Sequence, residues 1–71
     1  MTIYTDHAKA RMEMRRIKKE WVEEAIGKPE ALLGVKYGRK QAVKRIMGEE
    51  MSVIYVERGN DRVVITVFWG R

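Results

Sequence analysis

The sequence has no cysteine, and only one histidine, one proline and one phenylalanine among its 71 residues. Without cysteine there is no disulfide and no thiolate metal site, and a lone histidine leaves a structural zinc site short of ligands. No apolar stretch approaches the ~20 residues that span a bilayer. The opening MTIYTDHAKAR turns polar within a few residues, unlike a secretory leader. A cytoplasmic protein with no membrane partner is therefore expected. A glycine-rich phosphate loop, paired catalytic carboxylates and a nucleophile elbow are all missing, so no cofactor and no metal are expected. The length allows one domain, residues 1–71, with a modest core.

Positive charge is in surplus. The formal net charge is +5 and the isoelectric point about 9.8, but the excess is uneven. Between Glu30 and Gly48, five cations (Lys36, Arg39, Lys40, Lys44, Arg45) face Glu30 alone. From Glu49 onward, Arg58, Arg62 and Arg71 are outnumbered by Glu49, Glu50, Glu57 and Asp61. A basic middle in a small domain fits a polyanion partner, with a solvated lysine-rich surface as the plainer alternative.

The chain changes period once. Thr5 or Asp6 can cap a first helix over about 6–15. Ile3 and Tyr4 before it either staple onto that helix or form a short edge strand. A second helix over about 18–26 carries Trp21, Val22, Ala25 and Ile26 on one stripe, and Gly27 and Pro29 end it. Arg16-Ile17 reads as a tight joint between the two helices. Beyond Pro29 the pattern becomes that of strands, over about 31–37, 40–47, 51–57 and 62–69, with a hairpin turn at Gly59-Asn60-Asp61. The expected fold is α+β: two N-terminal helices packed on a four-stranded antiparallel β-meander. In the last strand the apolar row Val63, Ile65, Val67 and Trp69 is expected to meet the helices. The other face would then offer Lys40, Lys44, Tyr55, Arg62 and Thr66, and a one-residue register change would exchange the two faces.

Chemistry concentrates at the front. His7 is the single histidine, and histidine is the side chain whose ordinary titration lies nearest neutrality. Arg11 and Arg15 follow it at four-residue steps, on one helical face. Cutting RNA needs a base for the ribose 2′ proton, an acid for the leaving 5′ oxygen and cations for the charge on the phosphorane. His7 is the candidate base or acid, and Arg11 and Lys44 are candidates for holding the charge. Tyr55 is a candidate proton donor or stacking residue, and Arg15, Lys40, Arg45 and Thr66 are candidate nucleic-acid contacts. The competing readings are a capping or packing histidine, surface arginines and a half-buried tyrosine.

Four stretches, HAKARMEMRRI, VEEAIGKPE, GRKQAVKRI and VVITVFW, give the chain a resemblance to a prokaryotic family known as domain of unknown function 4258. That family is similar to RelE-type and barnase-like endoribonucleases, among them toxins of toxin–antitoxin pairs. The resemblance implies a toxin-like, metal-independent endoribonuclease acting on RNA, and the opening and last-strand motifs match at His7, Arg11 and Thr66. Lys44 and Tyr55 come from strand alternation alone. The alternatives are a non-catalytic nucleic-acid-binding module and a protein-interaction module. In the latter an exposed apolar sheet face (Val53, Val64, Phe68) would take a cognate antitoxin or pair two copies as a homodimer.

Overall fold

The computed structural model describes all 71 residues, Met1–Arg71. In chain order the elements are β1 (Thr2–Tyr4), α1 (Asp6–Met14), α2 (Lys19–Gly27), β2 (Ala31–Gly34), a 3-10 turn (Lys36–Gly38), β3 (Lys40–Ile46), β4 (Glu49–Arg58) and β5 (Asp61–Trp69). The strands form one sheet in the order β1-β5-β4-β3-β2. The expected four-stranded antiparallel meander is thereby corrected. The sheet has five strands and is mixed, because β1 lies parallel to β5, pairing Ile3 with Val63 and Tyr4 with Val64. Three residues are too few for a period-2 signal, so only this long-range pairing makes Thr2–Tyr4 a strand.

α1 starts where β1 stops, and one side chain does both jobs. The Thr5 hydroxyl accepts the Ala8 amide at 3.0 Å, capping the helix, and donates to the Ile65 carbonyl of β5 at 3.2 Å. The helix ends in a Schellman turn: Ile17 N–H reaches the Met12 carbonyl at 2.8 Å and Arg16 N–H the Glu13 carbonyl at 3.3 Å. Ile17 is buried, and Met12 packs on the same core. Arg16 holds the left-handed position of that turn, φ 54°, which glycine occupies without a Cβ penalty. Arg16→Gly should therefore raise stability by about 0.5–1 kcal/mol in urea unfolding, and a loss of similar size would contradict this assignment.

α2 buries Val22, Ala25 and Ile26 over β3 and β4, the stripe expected from its spacing. Both helices pack on one face of the sheet, against Ala42, Ile46, Met51, Val53, Tyr55, Val64 and Val67. In β5 the inward residues are Val64 and then Val67, an odd spacing. A bulge explains it: Tyr55 pairs with Val64 and Ile54 with Thr66, leaving Ile65 without an opposite residue. The single inward row expected for the last strand is corrected accordingly. Val67 and Trp69 face the helices, while Val63 lies on the opposite face.

Two-residue turns set the register of the long hairpins. Met47 and Gly48 both have positive φ, 52° and 86°, between the paired residues Ile46 and Glu49, the backbone of a type I′ turn. Gly59, φ 60°, opens the turn between Arg58 and Asp61.

Tyr4 joins β1 to α2. Its hydroxyl donates to Glu23 Oε2 at 3.3 Å and the Lys19 ammonium lies 5.5 Å from its ring centre. Burial, then the Glu23 charge, then this hydrogen bond push its phenol well above the ordinary tyrosine range. The unfolded chain releases that proton first, so this stabilisation is complete below about pH 10 and declines as pH rises beyond it. Between pH 9 and 11 the wild type should lose more stability than Tyr4→Phe, as read by urea midpoints, and parallel losses would remove Tyr4 as the cause.

Candidate functional site

α1 packs along β5 beyond the end of β1, where β5 has no strand neighbour on that side. Two side chains of this segment satisfy carbonyls of β5: Thr5 that of Ile65, and Arg15, through Nη1, that of Val67 at 2.9 Å. The Arg15 carbonyl in turn accepts the Trp69 indole N–H at 2.9 Å. Of the residues considered for nucleic-acid contact, Arg15 is thus placed as a bracket between helix and strand, and its half-buried guanidinium is committed to backbone.

His7 and Arg11 lie on the next stripe of the same helix. His7 is exposed, and Arg11 Nε donates to His7 Nε2 at 3.4 Å. Arg11 Nη1 also reaches the Met14 sulfur at 3.4 Å. A neutral imidazole with its proton on Nδ1 is the form that can accept at Nε2. Neither residue takes part in an ion pair, so the guanidinium is turned toward the imidazole and not toward a carboxylate.

The other expected residues do not converge on this pair. Lys44 projects from β3, which β4 separates from β5, so about 10 Å of sheet lies between Lys44 and the strand that carries α1. Its ammonium donates to the Lys28 carbonyl at 3.1 Å, at the C-terminus of α2, where a cation complements the helix dipole. Lys40 forms an ion pair with Glu57. The contact raises the Lys40 pKa and lowers that of Glu57, in each case chiefly through the hydrogen bond between them. Tyr55 pairs with Lys40 and is 4% exposed within the core. Arg45 Nη1 caps the Gly48 carbonyl at 2.9 Å, and its backbone N–H donates to Glu30 Oε2 at 2.6 Å.

The expected faces also change. Lys40, Lys44, Tyr55 and Arg62 share the helix-covered side by register, whereas Thr66 pairs with Ile54 on the opposite side, so Tyr55 and Thr66 do not meet. The bulge in β5 is the physical reason. Val53 and Val64, expected on an exposed apolar face, are fully buried under the helices, and only Phe68 of that trio lies on the open side. That open side is polar in the middle. Gln41 Nε2 donates to Ser52 Oγ at 3.1 Å, and the Ser52 hydroxyl donates to the Gly70 carbonyl, tying down the C-terminal residues.

One feature escaped the sequence reading. The turn between β2 and β3 carries Tyr37, 87% exposed, at φ 64° and ψ 33°. The Arg39 guanidinium lies 6.0 Å from its ring centre. The strand expected over about 31–37 is thereby corrected: it ends at Gly34, and Tyr37 and Gly38, both left-handed, belong to the turn.

A depression of about 290 Å³ at the β4–β5 turn, lined by residues such as Thr2, Glu57, Asp61 and Arg62, includes none of the expected site residues. No three side chains among His, Cys, Asp and Glu come together as metal ligands would, and no helix is long and apolar enough to cross a membrane.

No curated protein and no solved structure matches the chain. A family model does match, over residues 4–69, from β1 to the last residue of β5, and on that extent the chain belongs to the family described as domain of unknown function, DUF4258.

Proposed function

We propose that this protein acts on single-stranded RNA as a small, toxin-like, metal-independent endoribonuclease, with the His7–Arg11 pair as its reactive centre. The contact between Arg11 Nε and His7 Nε2 carries the reading. It puts the one imidazole of the chain, itself exposed, beside a guanidinium that lies outside every ion pair. When a phosphodiester binds, Arg11 turns to its non-bridging oxygens and releases the Nε2 lone pair. Nε2 takes the proton of the 2′ hydroxyl, the 2′ oxygen bonds to phosphorus, the bond to the 5′ oxygen breaks, water protonates the leaving group, and the hydroxide so formed takes the proton from Nε2. Arg11 offsets the charge that builds on the phosphorane.

The dispersal of Lys44, Tyr55 and Thr66 favours a second reading, a non-catalytic RNA-binding module on the same scaffold. An antitoxin or a second copy, the partners considered for an apolar sheet face, would have a smaller surface to use, since Val53 and Val64 lie under the helices.

The two readings separate in one assay. Single-stranded RNA and its 2′-O-methyl counterpart are incubated with the protein in EDTA. Fragments from the first alone support the endoribonuclease. Salt-sensitive retention of both strands without fragments moves the assignment to the binding module, and neither fragments nor retention overturns both.

A further inference from the structure

We infer that the tip of the β2–β3 turn, Tyr37 with Lys36 and Arg39, is a stacking site for an unpaired RNA base, an anchor remote from His7. The inference rests on the RNA reading above and deepens it. Three observations meet at this tip. Tyr37 exposes 87% of its surface, so the ring contributes little to the core. It occupies a left-handed position, φ 64°, next to Gly38 at φ 71°, so the tight turn carries the ring at its tip. Beside it stand two cations outside every ion pair of the protein: Lys36, and Arg39, whose guanidinium approaches the ring at 6.0 Å.

An exposed aromatic face flanked by free cations is what a nucleotide with an unstacked base requires. The ring takes the base, which every nucleotide offers, and the cations take the flanking phosphates. Double-stranded RNA hides its base faces in the stack, so the site selects single strands. The tip joins β2 to β3, two to three strand spacings or about 10–14 Å across the sheet from β5, along which α1 packs. A strand engaging both sites must therefore cross β4 and β3, and the tip adds affinity without touching the reacting phosphate.

The test measures binding of a 2′-O-methyl oligouridine strand, which resists cleavage, and of an abasic strand of equal length and charge, at low salt. Tyr37→Ala should bind oligouridine about 5- to 150-fold more weakly than wild type. Tyr37→Phe should stay within about twofold, and all three proteins should bind the abasic strand alike. Unchanged oligouridine affinity in Tyr37→Ala overturns the stacking site while leaving the RNA reading intact. Equal weakening on both strands also overturns it, since a lost base contact cannot weaken an abasic ligand. A wild-type protein that binds neither strand overturns the stacking site, and the cleavage assay above then decides the RNA reading.

Discussion

Replacing Trp69 by alanine should cost about 3 kcal/mol or more, a large part of the roughly 4–10 kcal/mol expected for a domain of this length. Trp69 closes β5 and meets both helices. Its ring stands against Trp21 of α2, centres 6.2 Å apart and planes at 66°, an edge-to-face pair. Its indole N–H donates to the Arg15 carbonyl in the joint that follows α1. Truncation removes the packing, the aromatic pair and the partner of that carbonyl together. The melting temperature should fall by about 12 °C or more, given the small unfolding entropy of a short chain. Trp69→Phe, which keeps an aromatic ring and loses the donor, should cost about 1 kcal/mol. An alanine variant less than 1 kcal/mol below wild type would show that Trp69 does not hold the helix joint to the sheet.

His7→Ala should behave in the opposite way, leaving the fold intact and removing activity. His7 is exposed, and its side-chain hydrogen bond is the long one from Arg11, so stability should stay within about 0.5 kcal/mol of wild type. If the imidazole is the base, RNA cleavage should slow by about 10²- to 10⁴-fold. Arg11→Ala should slow it by about 10²-fold or more through lost charge stabilisation. Arg11→Lys should restore part of that, because a point charge replaces the fork but not its geometry. A His7→Ala variant that cleaves RNA at the wild-type rate removes His7 from the chemistry whatever else binds RNA.

The legible parts of this molecule are those with a local cause. Helix α2 follows from the spacing of Val22, Ala25 and Ile26, the tight joint from the break at Arg16-Ile17, and the β4–β5 turn from Gly59. What escaped depends on pairing between distant residues. Ile3 and Tyr4 allowed a short edge strand, which β1 is, but nothing within three residues announces that its partner is parallel and 60 positions away. The bulge at Ile65 is equally silent in the sequence, yet it exchanges the faces of half of β5 and with them the surroundings of Tyr55 and Thr66. The same limit applies to the candidate site. The four-residue step from His7 to Arg11 is a local helical relation, and it is the one contact among the proposed catalytic residues that the structure forms. Lys44 and Tyr55 were chosen by strand alternation. Tertiary packing uses the first as a cation at the end of α2 and the second as part of the core. Arg15 was legible as a neighbour of Arg11, but its bond to the Val67 carbonyl required knowing that β5 leaves an edge uncovered.

The most direct measurement is the chemistry of the ends produced when wild-type protein acts on single-stranded RNA in EDTA at neutral pH. A base at His7 that activates the 2′ hydroxyl must leave a 2′,3′-cyclic phosphate on one fragment and a free 5′ hydroxyl on the other. Intact RNA, or fragments ending in a 3′ hydroxyl and a 5′ phosphate, would contradict the assignment of His7 and Arg11 as the reactive pair.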